Sequence, residues 1–196
     1  MKAIIIILAI LLVLVIFFIS IYNKLIRLRN AYKNAFAQID VQLKRRYDLI
    51  PNLVESVKGY MQHERNTLEE VIKARNIAYN ALELASKNPG DPELMRNLSG
   101  ADATLTGALG RLLVVVEQYP NLKANEHISA LMEELVSTEN KISFARQHYN
   151  DCVYTYKNAR EMFPNNIISR LFAFDDAEYL QSTEKEEERK APQVKF

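Results

Sequence analysis

The chain has 196 residues and carries 25 Lys and Arg against 24 Asp and Glu, a net charge of +1. That balance excludes a general electrostatic affinity for nucleic acid, and a single cysteine, Cys152, excludes an intrachain disulfide. Scarce glycine and proline, abundant alanine and leucine, and no period-two alternation mark an all-α chain long enough for one domain and an anchor.

Residues 3–21 contain no charge, and Ser20 is their one polar member. At ~1.5 Å per residue they span about 28 Å, close to the hydrocarbon thickness of a bilayer. A cleaved signal peptide has a shorter apolar region and a small-x-small cleavage site. Here Phe17, Phe18, Ile19 and Ile21 stand where small residues would be needed. Residues 1–22 are therefore expected to be a retained transmembrane helix, with Tyr22 as an interfacial aromatic. Lys24, Arg27, Arg29 and Lys33 follow, and no acid appears before Asp40. These four are expected to meet lipid headgroups, at about 1 kcal/mol each beside an anionic leaflet. Only Lys2 and the terminal amine precede the apolar run, so the positive-inside bias places the N-terminus outside and the remainder in the cytoplasm, at the inner (plasma) membrane.

From Tyr32 an apolar seam runs through Phe36, Ile39, Leu43, Tyr47, Ile50, Val54, Val57 and Met61 at steps of three or four. It continues in phase through Leu68, Val71, Ile72 and Ala78 to about Leu84, the pattern of an amphipathic helix. Pro51 removes an N–H from that helix, which predicts either a kink or two abutting helices sharing one buried face. Residues 87–92, KNPGDP, end the segment; Asp91 suits a cap and Pro92 a first helical position. The next helix is expected over about 93–118, with Leu98, Ala101, Leu105, Leu109, Leu112 and Val116 inward. Gly100, Gly107 and Gly110 each cost ~1 kcal/mol there against alanine, and close helix–helix approach is the expected compensation. After Pro120, Asn125 can cap a last helix in which Ile128, Leu135, Ile142, Tyr149, Tyr156 and Phe163 recur every seven residues. Leu131, Thr138, Ala145, Cys152 and Ala159 fill the alternate column, a coiled-coil-like seam. Residues 167–174 are a short apolar piece expected to fold back on the bundle. The stretch 184–190, EKEEERK, is too charged to bury apolar surface, so 175–196 reads as a disordered tail.

Chemical motifs are few. His63-Glu64 begins like a zinc-protease HExxH, but Thr67 stands where the second histidine must be. His148 and Cys152 share a helical face, where the cysteine reads as a small core residue rather than a metal ligand. No phosphate-binding glycine loop or nucleophile elbow occurs. Lys44, Arg45 and Arg46 splay around a helix and read as a solvated face paired with Asp40 and Asp48.

Residues 38–60 (QIDVQLKRRYDLIPNLVESVKGY), 63–75 (HERNTLEEVIKAR) and 117–151 (EQYPNLKANEHISALMEELVSTENKISFARQHYND) resemble the LemA family of bacterial membrane-anchored proteins, over roughly 22–174. That resemblance implies an N-terminal anchor followed by an antiparallel helical bundle, and no agreed enzymatic activity. The expected organisation is thus an anchor at 1–22, a bundle of three to four long helices at 23–174, and the tail. The expected function is that of a membrane-held interaction module, without cofactor, metal or catalytic residues. Its partners are the lipid bilayer and a protein, plausibly another membrane protein. The alternative is an enzyme with a polar site by Pro51 built from Gln38, Gln42, Asp48 and Asn52, with Glu139 and Arg146.

Overall fold

The computed structural model describes residues 1–61, 63–123 and 125–181. Among the described residues six helices follow one another: α1 Lys2–Lys58, α2 Arg65–Lys87, α3 Pro92–Glu117, α4 Pro120–Lys123, α5 Glu126–Glu161 and α6 Asn165–Leu171. No strand occurs among the described residues. The four long helices run up, down, up and down. On α1 and α2, Tyr47 meets Tyr79 at 6.2 Å between ring centroids. On α1 and α5, Phe36 meets Tyr149 at 5.7 Å and Tyr32 meets Tyr156 at 5.2 Å. On α2 and α3, Glu70 pairs with Arg111 at 2.9 Å.

The first part of α1 stands alone: every side chain from Met1 to Ser20 is exposed, and burial begins at Ile21. By length and composition α1 and α3 could both cross a membrane, but α3 turns Met95, Leu98, Leu105 and Leu112 into the bundle core. The apolar run of α1 at residues 3–20 has no such protein partner among the described residues and is suited to lipid.

Helix α1 passes through Pro51 without interruption. Proline leaves the carbonyl four residues back, that of Tyr47, without its helical donor. Arg75 on α2 supplies one: its Nε–H donates to the Tyr47 carbonyl at 2.9 Å. Its guanidinium also stacks 4.9 Å from the Tyr79 ring centroid. The proline is thus accommodated by a side chain from the neighbouring helix. Arg75→Ala is expected to cost about 1–3 kcal/mol, the range for stranding a half-buried acceptor. About 1 kcal/mol of that should vanish when Pro51→Ala restores the amide N–H. Chemical denaturation of the two single variants and the double variant measures this coupling, and equal penalties in both backgrounds would contradict it.

The reversal of direction lies at 59–64, not at Pro51. Gly59 ends α1, the Tyr60 and Met61 amides turn back to the Val57 carbonyl, and Met61 is fully buried under the turn. The seam that reads as one helix to Leu84 is therefore two antiparallel helices. The glycines of α3 also differ from expectation. A Cβ at Gly100 or Gly110 would meet nothing within 4 Å, and at Gly107 only the Arg111 Nη1 at 4.0 Å. All three are exposed, so no close approach offsets their cost.

At the membrane end, the α2–α3 turn places Gly90 at φ 95°, where a Cβ would come within 3.0 Å of the Tyr32 ring. Residues 175–181, read from sequence as the start of the tail, instead run along the bundle. Ala177 and Leu180 are buried, and the Glu178 amide donates to the Gly90 carbonyl at 2.8 Å. The Asn150 side chain donates to the Leu180 carbonyl at 3.1 Å and accepts its amide at 3.0 Å. Two apolar residues three apart and this backbone pairing outweigh the acids of the segment, of which Asp175 and Asp176 stay exposed. The charged stretch 184–190 lies outside the described residues.

Candidate functional site

Charge is concentrated at the centre of the bundle. Arg46 on α1 is 1% exposed and Asp102 on α3 is 3% exposed. Their side chains form a buried ion pair. Arg146 on α5 reaches the other Asp102 oxygen at 3.0 Å, and Arg46 Nη1 meets Glu139 Oε2 at 2.6 Å. The basic triplet is therefore not one solvated face: Lys44 pairs with Asp40 at 2.8 Å, but Arg46 points inward because it lies three residues after Leu43 and four before Ile50, on the seam side. The Arg46–Asp102 pair joins α1 and α3, which otherwise have little backbone contact. The hub's ion pairs hold α1, α3 and α5 in register.

The six polar residues expected around Pro51 fall in three separate places. Glu139 and Arg146 belong to the hub. Gln38 and Gln42 line a shallow groove between α1 and α5 together with Val41, Phe144 and His148. Asp48 and Asn52 are exposed; Asp48 lies 3.7 Å from Arg75 Nη2, and the Asn52 carbonyl accepts from Ser56 Oγ at 2.8 Å. His148 and Cys152 do approach, Nε2 to Sγ at 3.9 Å. Burial, and then Asp151, push the Cys152 thiol up, which favours the neutral form over the thiolate a metal would need. Among the described residues no three His, Cys, Asp or Glu side chains converge as metal ligands.

Pro51 does border a cavity of another kind. An open groove of about 970 Å³ runs between the end of α1 and the start of α2. Val54, Met61, Leu68 and Ile72 make its floor, and Ile77, 48% exposed, stands on its rim. Four of the charged lining residues pair along their own helices, Arg65 with Glu69 at 2.7 Å and Lys58 with Glu55 at 3.4 Å. Among the described residues its lining has no histidine, cysteine, serine, threonine or tyrosine. An apolar floor with a rim of mixed charge fits a helix laid lengthwise better than it fits nucleophilic or acid–base chemistry.

The basic residues after the apolar run are placed unevenly. Lys24, Arg27 and Lys33 are exposed, whereas Arg29 is half-buried with its guanidinium 5.3 Å from the Phe174 ring centroid.

A family model described as the LemA family matches residues 35–196. Magnetosome protein MamQ 2 of Paramagnetospirillum magneticum is 30% identical over 176 residues, 82% of this chain and 64% of the relative. Magnetosome protein MamQ of Magnetospirillum gryphiswaldense is 27% identical over 174 residues, 81% of this chain and 64% of the relative. Protein LemA of Metamycoplasma hominis is 24% identical over 162 residues, 83% of this chain and 69% of the relative. The match thus spans less than two thirds of the length of either MamQ relative.

Proposed function

The chain belongs to the LemA family, and from that premise we propose that it is a membrane-anchored interaction module, holding a docking groove at a fixed height above the inner (plasma) membrane. Residues 3–21 cross the bilayer and the bundle stands in the cytoplasm, an orientation supported by Lys24, Arg27, Arg29 and Lys33 after the span against Lys2 before it. At ~1.5 Å per residue along α1, Lys24, Arg27 and Lys33 lie about 5, 9 and 18 Å beyond Ile21. With a Debye length of about 8 Å, the first two contribute most of the attraction to anionic headgroups and Lys33 little.

The observation that carries the reading is the apolar groove beside Pro51. It lies about 45–55 Å beyond Ile21 along α1, so its occupant is an amphipathic helix from a partner that reaches that height. The floor offers Val54, Leu68 and Ile72 to apolar residues at helical spacing, and Glu55, Lys58, Arg65 and Lys73 meet the partner's polar flank. A photo-crosslinking residue at Ile77, in the full chain in native membranes, tests this against the same residue at Val114, an exposed position on α3. A protein adduct formed from Ile77 and not from Val114 is expected. No adduct at Ile77, or the same adducts from both positions, would overturn the groove as the docking site.

A further inference from the structure

Helix α6 is built inside out. Its inward residues are Asn165 and Ser169 beside Ile168, all buried. The Asn165 side-chain amide donates to the Ala159 carbonyl at 2.8 Å, and the Ser169 hydroxyl to the Arg160 carbonyl at 3.2 Å, satisfying the end of α5. The outward residues are apolar. Ile167 and Leu171, one turn apart, are 52% and 72% exposed, flanked by Met162, Phe163 at 80% and Phe172 at 55%. Phe163, which the seven-residue repeat places inward, lies beyond the end of α5 and faces out. A helix facing water has the opposite arrangement, and a contiguous apolar patch of this kind marks a surface that something covers.

Its position identifies what covers it. The Phe172 ring lies 5.0 Å from that of Tyr22, the first residue after the apolar run, and the Phe174 ring 5.6 Å. The outward patch therefore adjoins Tyr22, at the foot of the exposed apolar run of residues 3–20. Arg170 on α6 itself is exposed, and so are Lys24 and Arg27, the first cations after the apolar run of α1. We propose that the outer face of α6 lies in the headgroup–acyl boundary of the leaflet from which α1 emerges, giving the bundle a second membrane contact. The inference rests on the reading of residues 3–21 as a bilayer-spanning anchor. A single helix lets a bundle tilt and swivel; a second contact beside it fixes both. Because the segment after α6 ties back to Gly90 and Asn150, the constraint reaches both helix pairs of the bundle.

The test uses the full chain in phosphatidylethanolamine–phosphatidylglycerol vesicles with bromine-labelled acyl chains. An environment-sensitive fluorophore is attached at Leu171→Cys, at Val13→Cys in the anchor, or at Phe144→Cys on the side of α5, each with Cys152→Ala. All three labelled positions are exposed, so the substitutions leave the core intact. Blue-shifted, bromine-quenched emission from the Leu171 and Val13 positions, with neither effect at Phe144, is the expected result. Quenching at Val13 alone overturns the α6 contact and leaves the anchor standing. Quenching at Phe144 as well shows the bundle lying flat and overturns a contact specific to α6. No quenching at Val13 removes the anchor, and the α6 contact with it.

Discussion

Asp102→Ala destabilises the bundle by about 3–5 kcal/mol, the usual range for removing one partner of a buried ion pair. Asp102 lies between Arg46 and Arg146, and its loss leaves Arg46, 1% exposed, with a single carboxylate partner from a half-exposed side chain, Glu139. Glu139→Gln, which acts on that half-exposed partner, costs about 1 kcal/mol or less. Replacing Arg46, Asp102 and Arg146 together by apolar residues of similar volume returns most of the stability, because no charge is then stranded. Denaturant unfolding of these variants measures the difference. A loss at Asp102→Ala no greater than at Glu139→Gln would mean that the hub is hydrated and contributes little.

The bundle loses stability as the pH rises above about 10. Burial pushes the phenols of Tyr47 and Tyr156 up to about 12 from an ordinary value of 10.0, and raises that of Tyr149 further. All three are fully buried. Above about pH 10 the unfolded chain releases tyrosine protons that the folded chain keeps, so stability present below that pH is lost as pH climbs. Two units correspond to about 2.7 kcal/mol per tyrosine, hence on the order of 5 kcal/mol from Tyr47 and Tyr156 together by about pH 12. The hydroxyls matter differently. Tyr149 donates to the Glu178 carbonyl at 2.8 Å and Tyr156 to the Asp175 carbonyl at 2.7 Å, so their ionisation also releases the segment after α6. The Tyr47 hydroxyl has no hydrogen-bond partner among the described residues, and Tyr47→Phe should remove part of the alkaline loss without harm at neutral pH. A denaturation midpoint level from about pH 9 to about pH 12 would contradict this.

Where cap chemistry and apolar phase agree, the sequence is read correctly. Asp91 accepts from the Glu93 and Leu94 amides at 3.0 Å each, and Asn125 from those of His127 and Ile128 at 3.0 and 3.3 Å. The turn at 59–64 escapes notice because Val57, Met61 and Leu68 keep helical phase across it and Gly59 is its one turn-forming residue. The hub carries a signal that was overlooked. Arg46, Asp102, Glu139 and Arg146 each sit three or four residues from a seam residue on both sides, for example Leu98 and Leu105 around Asp102. Opposite charges in seam phase on different helices point to a buried pair, whereas a run such as residues 44–46 suggests only surface. The apolar outer face of α6 is legible as a short hydrophobic piece. Its direction is not, since the inward hydrogen bonds of Asn165 and Ser169 to α5 decide which side faces out.

A bundle tethered at residues 3–21 and standing in the cytoplasm is tested most directly by protease accessibility of the full chain, tagged after Phe196, in sealed membranes of both orientations. With the outer layers stripped from intact cells, the tag should survive. In inverted inner-membrane vesicles it should be digested, leaving a membrane-bound fragment that contains the apolar part of α1. Loss of the tag from intact stripped cells would place the bundle outside, and release of the undigested chain from the washed vesicles would remove the anchor.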